Sequence, residues 1–157
     1  MHRTISLSEY VKKRNGVALG APGSMTNMLK RSLGASSFDL FWQYWNPIWG
    51  YYLSRKIMKP LSQLLPIWLT IIITFAVSGA LHDLAITLVK WKLTFFFTPW
   101  FSLMSFIVLA TKKFDISYGE HHWIIRASIN IALIAICLVL TRKTTLDMLH
   151  YQNFLTF

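Results

Sequence analysis

Charge, acidic residues and cysteine are all scarce in this chain. Charged residues make up 14% of its 157 positions, where an ordinary soluble domain carries about 25%. With 54% hydrophobic residues, that deficit argues for an integral membrane protein. Only 6 acidic residues stand against 16 Lys and Arg, for a net charge of +10. Such a balance can serve nucleic acid, but here the positive residues cluster between apolar runs instead of sharing a face. They read as topology determinants and contacts to anionic lipid heads, and nucleic acid is not an expected partner. The one cysteine, Cys137, excludes an intrachain disulfide. Lying in an apolar run with no base nearby in sequence, it is expected to face lipid or pack, and not to act as a nucleophile. The first thirty residues hold no apolar signal-peptide core, so no cleavage is expected. There is no glycine-rich phosphate loop, no GxSxG pattern, no internal repeat and no low-complexity tract.

What the chain does have is apolar runs. Residues 67–89, IWLTIIITFAVSGALHDLAITLV, are long enough to cross a bilayer as a helix, which takes roughly 20 residues. A second run, 93–110, contains Pro99, which membrane helices tolerate with a kink. A third, 123–140, carries Arg126 near its start, expected to reach for the interface, and Asn130 inside, expected to join helices. Lys90 and Lys92, Lys112-Lys113, and Arg142-Lys143 follow the three runs in turn. The predicted fold is all-α: an integral membrane helical protein with three spans and N-terminal interfacial or re-entrant helices.

Residues 1–35 form a basic cytoplasmic or interfacial segment, and 36–157 the membrane domain. Ser6 and Glu9 fit a capping box, predicting a helix from Leu7 to about Arg14 that stops at Gly16. Ser24 is expected to cap a second helix, Met25 to Leu33, with Met25, Met28, Leu29 and Leu33 on one face at helical spacing. Such a helix suits a membrane surface. The aromatic run Phe38 to Tyr52 is broken at Asn46-Pro47, since the residue before proline avoids the α region and proline suits a first helical position. A helix up to Trp45 and another from Pro47 to about Lys59 are predicted. Nine basic residues precede Ile67: Arg3, Lys12, Lys13, Arg14, Lys30, Arg31, Arg55, Lys56 and Lys59. The 90–92 loop holds two, so the N-terminus is expected in the cytoplasm, with a bacterial inner membrane as the expected location.

The candidate chemistry sits inside the first span. His82-Asp83 lies at membrane depth, where an ionisable side chain costs about 2.5–3.5 kcal/mol on insertion scales and marks a functional hypothesis. Phe75, Ser78, Gly79, His82 and Ile86 share one helical face. Gly79 leaves room beside the imidazole one turn away, and Ser78 is placed to hydrogen-bond the ring. Asp83, about 100° round the helix, is expected to hold a neighbouring helix or backbone. The bland alternative is a histidine satisfied by a helix–helix hydrogen bond. For Asn46 the bland account is an N-cap, contributing about 1 kcal/mol. That leaves unexplained the aromatic residues Phe41, Trp42, Tyr44, Trp45, Trp49 and Tyr51 around it, which form either an interfacial belt or a pocket mouth. Glu120, His121 and His122 read as a solvated loop and not as a metal site.

The segment Phe41-Trp42-Gln43-Tyr44-Trp45-Asn46-Pro47, followed by a basic cluster and then by Phe75-Ala76-Val77-Ser78-Gly79-Ala80-Leu81-His82-Asp83, resembles the membrane-bound O-acyltransferase superfamily, most closely its wax-synthase-like branch in truncated form. The resemblance covers about residues 36–89. It implies acyl transfer from a thioester donor such as acyl-CoA, used as co-substrate with no bound cofactor, to a hydroxyl acceptor. His82 matches the general base and Asn46 a second polar site residue, while Trp42, Trp45, Ser78 and Gly79 would line the substrate site. Family members usually have many more spans, so a homo-oligomer or a partner membrane protein is expected to complete the chamber. The alternative is a non-enzymatic membrane subunit, or a degenerate acyltransferase, in which His82 and Asp83 make structural contacts.

Overall fold

The computed structural model describes residues 5–155, with side chains described as far as residue 144. Arg3 lies outside the described residues. All regular structure among these residues is helical. α1 (Leu7–Asn15) opens with the predicted capping box: the Glu9 amide donates to Ser6 Oγ at 3.2 Å, and the Ser6 amide donates to the Glu9 carboxylate at 2.8 Å. Gly16, at φ 83°, ends it in a left-handed conformation that side chains disfavour. α2 (Ser24–Leu33) differs in its start. Gly23, not Ser24, is the N-cap, and the Ser24 hydroxyl instead accepts from Asn15 Nδ2 at 2.8 Å. That bond laces the end of α1 to the start of α2.

α3 (Phe38–Tyr44) and α4 (Pro47–Leu53) part at Asn46, as Pro47 predicts. The expected continuation to Lys59 is made by a π turn, Ser54–Met58, and the single turn α5 (Lys59–Leu61). Pro60 supplies the reason. It has no N–H to donate, and its ring crowds the carbonyl four residues back. The chain widens instead, so that the Lys59 amide reaches five residues back to Ser54, the π-type bond.

α6 (Ile67–Lys90), α7 (Phe97–Lys113) and α8 (Trp123–Leu155) form the rest. Two of them, not the expected three, are long and apolar enough to cross a membrane: α6 and the Trp123–Thr144 part of α8. The predicted span 93–110 is corrected to the 17-residue α7, roughly 25 Å long at 1.5 Å per residue. Residues 91–96 are loop because Asp83 captures the amides of Phe96, Phe97 and Thr98 and so fixes where α7 begins. Pro99 consequently sits in the first turn, where its missing N–H costs nothing and no kink is needed. α8 runs well past its expected end at Leu140. Only 33% of the most apolar window of α6 and 22% of that of α8 is buried within the chain, whereas a helix in a soluble core is mostly covered.

α6 and α7 run antiparallel and pack closely through Gly79. A Cβ there would lie 2.5 Å from the Phe97 carbonyl oxygen. α3 docks on α7, and its Phe38 and Phe41 are wholly buried in a core with Ala35, Ile71, Met104, Val108 and Cys137. Cys137 therefore packs in the core. Asn130 ties α8 to the α2–α3 joint: its Nδ2 donates to the carbonyls of Leu33 at 2.9 Å and Ala35 at 3.2 Å, and its Oδ1 accepts from the Tyr118 hydroxyl.

Candidate functional site

A cavity of about 630 Å³ opens between α6, α7 and the N-terminal helices. Its aromatic wall is built by α3 and α4. With Phe38 and Phe41 anchored in the core, Trp42, one residue on, turns toward the cavity and packs edge-on against Phe75 at 5.2 Å between ring centres. Trp45 and Trp49 line it as well. The aromatic run is thus part core and part cavity wall, with Trp45 and Tyr52 exposed at its edge.

Asn46 and His82, 36 positions apart in sequence, both line this cavity. Asn46 adopts φ 41°, ψ 70°, a left-handed conformation that asparagine tolerates better than most residues. Its Oδ1 accepts from the Trp49 amide at 3.2 Å, so the N-cap reading is realised. That bond engages the oxygen and leaves the Nδ2 donors, which only an acceptor can use.

His82 is held from one side. Its Nδ1 lies 2.7 Å from the backbone carbonyl of Ser78. A carbonyl oxygen only accepts, so in the neutral ring Nδ1 carries the proton and Nε2 is the bare nitrogen. His82 is exposed at the cavity, and its ring is flanked by Trp49 at 6.2 Å, Phe97 at 5.7 Å and Phe101 at 5.1 Å between centroids. Ser78 plays a different part from the one its hydroxyl suggested. Its carbonyl orients the imidazole, while its Oγ accepts from the Trp49 indole at 2.9 Å. Trp49, a residue the spacing did not single out as a site, therefore bridges the helix that Asn46 caps and the helix that carries His82. The sequence marks it only as one of the aromatic residues around Asn46.

The other two neighbours in sequence are structural. Gly79 does not line the cavity; it faces the backbone of Phe97 and Thr98, and the room it leaves is filled by α7. Asp83 points away from His82. Its Oδ1 accepts from the amides of Phe96 at 2.9 Å and Phe97 at 2.8 Å, and its Oδ2 from the amide of Thr98 at 2.8 Å and the hydroxyl of Thr98 at 2.7 Å. A carboxylate on the first amides of a helix offsets both their missing partners and the helix dipole.

A polar group that the sequence does not mark also lines the cavity: Tyr10, Arg14, Asp39, Gln43 and Lys112. Arg14 donates to Gln43 Oε1, and Gln43 Nε2 donates to Asp39 at 3.3 Å. Nothing in the run Lys12-Lys13-Arg14 distinguishes the side chain that turns inward. Arg126, expected to snorkel, is half-buried, and its Nε has no partner. Glu120, His121 and His122 are exposed. No protein-family model, curated protein or solved structure matches the chain.

Proposed function

We propose that this chain is a membrane-embedded acyltransferase of the O-acyl type, moving an acyl group from a thioester donor to a hydroxyl acceptor. The observation that carries the reading is the meeting of a bare His82 Nε2 and Asn46 on one tryptophan-walled cavity. A hydroxyl is a weak nucleophile until a placed base takes its proton, an effect of about 10²–10⁴-fold. Here Nε2 accepts that proton while the Ser78 carbonyl holds Nδ1–H. The alcohol oxygen attacks the thioester carbonyl carbon, and the carbonyl oxygen becomes anionic. The Asn46 Nδ2–H donors suit that oxygen, since Oδ1 is engaged with Trp49. Collapse of the intermediate breaks the C–S bond, and the thiolate leaves with the proton from Nε2. His82 and Asn46 are both exposed in the chain alone, so limiting hydrolysis of the donor falls to the surrounding bilayer or a partner subunit.

The same reading places α6 and α8 across a bilayer, with the basic N-terminal helices on its cytoplasmic face by the positive-inside rule. A bacterial inner membrane fits the chain, and a second copy or partner membrane protein would complete the chamber. The competing reading, a non-enzymatic subunit, is favoured at Asp83, whose bonds are wholly structural, but gives no use to a bare Nε2 beside a cavity.

The test is acyl transfer from a labelled acyl-CoA to an alcohol by the chain reconstituted in liposomes. His82→Ala is expected to lower transfer by at least about 10²-fold while membrane insertion is unchanged. Full transfer by that variant removes the base assignment. Loss of assembly along with activity favours the subunit reading.

A further inference from the structure

The cavity lining includes both His82 and Lys112, and the two regions differ in chemistry. On α7, Phe101 stacks near the His82 ring and Lys112 lies eleven residues further on, roughly 16 Å along a helix axis. On α6, His82 and Ile71 are separated by the same number of residues, and both line the cavity. The start of α3 is pinned to this far end, because the Tyr118 amide, just beyond α7, donates to the Ser36 carbonyl at 2.9 Å. The charge of Asp39 acts on Tyr118 there, and hydrogen bonds join Gln43 and then Arg14 to Asp39, while the Arg14 guanidinium also lies over the Tyr10 ring at 5.5 Å. Between the ends the wall is apolar, with Ile71, Phe75 and Val108 prominent.

The far end carries two cations and one carboxylate. Asp39 is engaged by Gln43 and by the Ser37 hydroxyl. Arg14 Nε is buried with no partner, and the Lys112 ammonium is exposed. A guanidinium N–H enclosed on a cavity wall without an acceptor is a donor awaiting an anion. Basic residues that serve only topology would point to the lipid heads, with nothing enclosed.

We propose that the cavity takes a linear amphiphile, its single anionic head held by Arg14 and Lys112 and its chain lying along Phe75 and Val108 toward His82. The inference rests on the acyl-transfer reading only for the ligand's other end, where a hydroxyl acceptor would meet the imidazole; binding of head and chain needs no transfer. The probe is palmitate, compared with uncharged hexadecanol, on the full chain in phosphatidylcholine nanodiscs, without acyl donor. Palmitate is expected to bind at least about tenfold more tightly than hexadecanol, as a charge-assisted hydrogen bond implies. Arg14→Gln is expected to weaken palmitate by about tenfold, and Lys112→Gln, at an exposed position, by about threefold. Hexadecanol binding should not move with either. Equal affinity for the two probes, or palmitate binding unchanged in both variants, overturns the proposal. If Arg14→Gln fails to fold by circular dichroism, Lys112→Gln alone decides. Competition by anionic phosphatidylglycerol supports the same head chemistry supplied by a lipid; inorganic phosphate displacing palmitate at equal concentration overturns it, since the apolar wall would then contribute nothing. Transfer that survives His82→Ala, alongside charge-dependent binding, sinks the enzymatic reading alone. Transfer that needs His82, alongside charge-independent binding, sinks this one alone.

Discussion

Two neighbouring ionisable side chains, His82 and Asp83, do opposite things because consecutive residues on a helix diverge by about 100°. Asp83 is consumed by four hydrogen bonds. Removing it leaves three amides without an acceptor, and Asp83→Ala is expected to destabilise the fold by about 3–5 kcal/mol, visible as a lowered melting temperature in detergent. Asn46 needs a subtler pair of variants, since it is both a cap and a cavity residue. At φ 41° alanine is strained and loses the cap, together about 1–3 kcal/mol. Glycine accepts that backbone and costs only a few tenths of a kcal/mol. If the amide stabilises an oxyanion, Asn46→Gly is expected to keep its melting temperature yet lose about 10²-fold in acyl transfer. Unchanged transfer in that variant would leave Asn46 as a cap alone.

At the scale of elements, the start of α7 and its approach to α6 decide the shape of the cavity. Gly79 permits that approach. A Cβ would meet the Phe97 carbonyl oxygen at 2.5 Å and the Thr98 Cα at 2.7 Å, and backbone atoms cannot rotate aside. Gly79→Ala is expected to cost about 1–3 kcal/mol by overpacking and to displace Phe97 and Phe101 from the His82 ring. A thermal melt together with transfer activity would check it; an unchanged melt would mean that α7 can move away freely. The length of α7 was not legible in the run 93–110, because hydropathy does not register a carboxylate one helix away that pins the first turn. The π turn was half legible: Pro60 announces a disturbance, but not how the chain absorbs it.

For the whole molecule, the joint between α8 and the N-terminal helices runs through Tyr118 and Asn130. Burial, with the charge of Asp39 adding to it, pushes the Tyr118 hydroxyl from its ordinary 10.0 up to about 12. The folded chain therefore holds this proton more tightly than the unfolded chain. Stability from this group is complete below about pH 10 and is lost as pH rises toward 12. Tyr118→Phe is expected to flatten that part of the stability profile in detergent melts, and to cost about 1 kcal/mol at neutral pH by leaving Asn130 Oδ1 without its donor. An identical alkaline slope in the variant would place the titrating group elsewhere.

Residue order by itself determined that the chain is helical, where α1, α3 and α4 begin, and that α6 and α8 are long and apolar. Capping boxes, prolines and unbroken hydrophobic runs act within a few residues of themselves, so they can be read in one dimension. It also marked His82 and Asn46, since a polar side chain in an apolar or aromatic setting stands out locally. The tertiary structure decided that these two line one cavity, that Gly79 serves packing, and that of Lys12, Lys13 and Arg14 it is Arg14 that lines the cavity. Those outcomes depend on which helix faces meet. That is settled by contacts between residues far apart in the chain, through shape and hydrogen-bond geometry that no local pattern encodes.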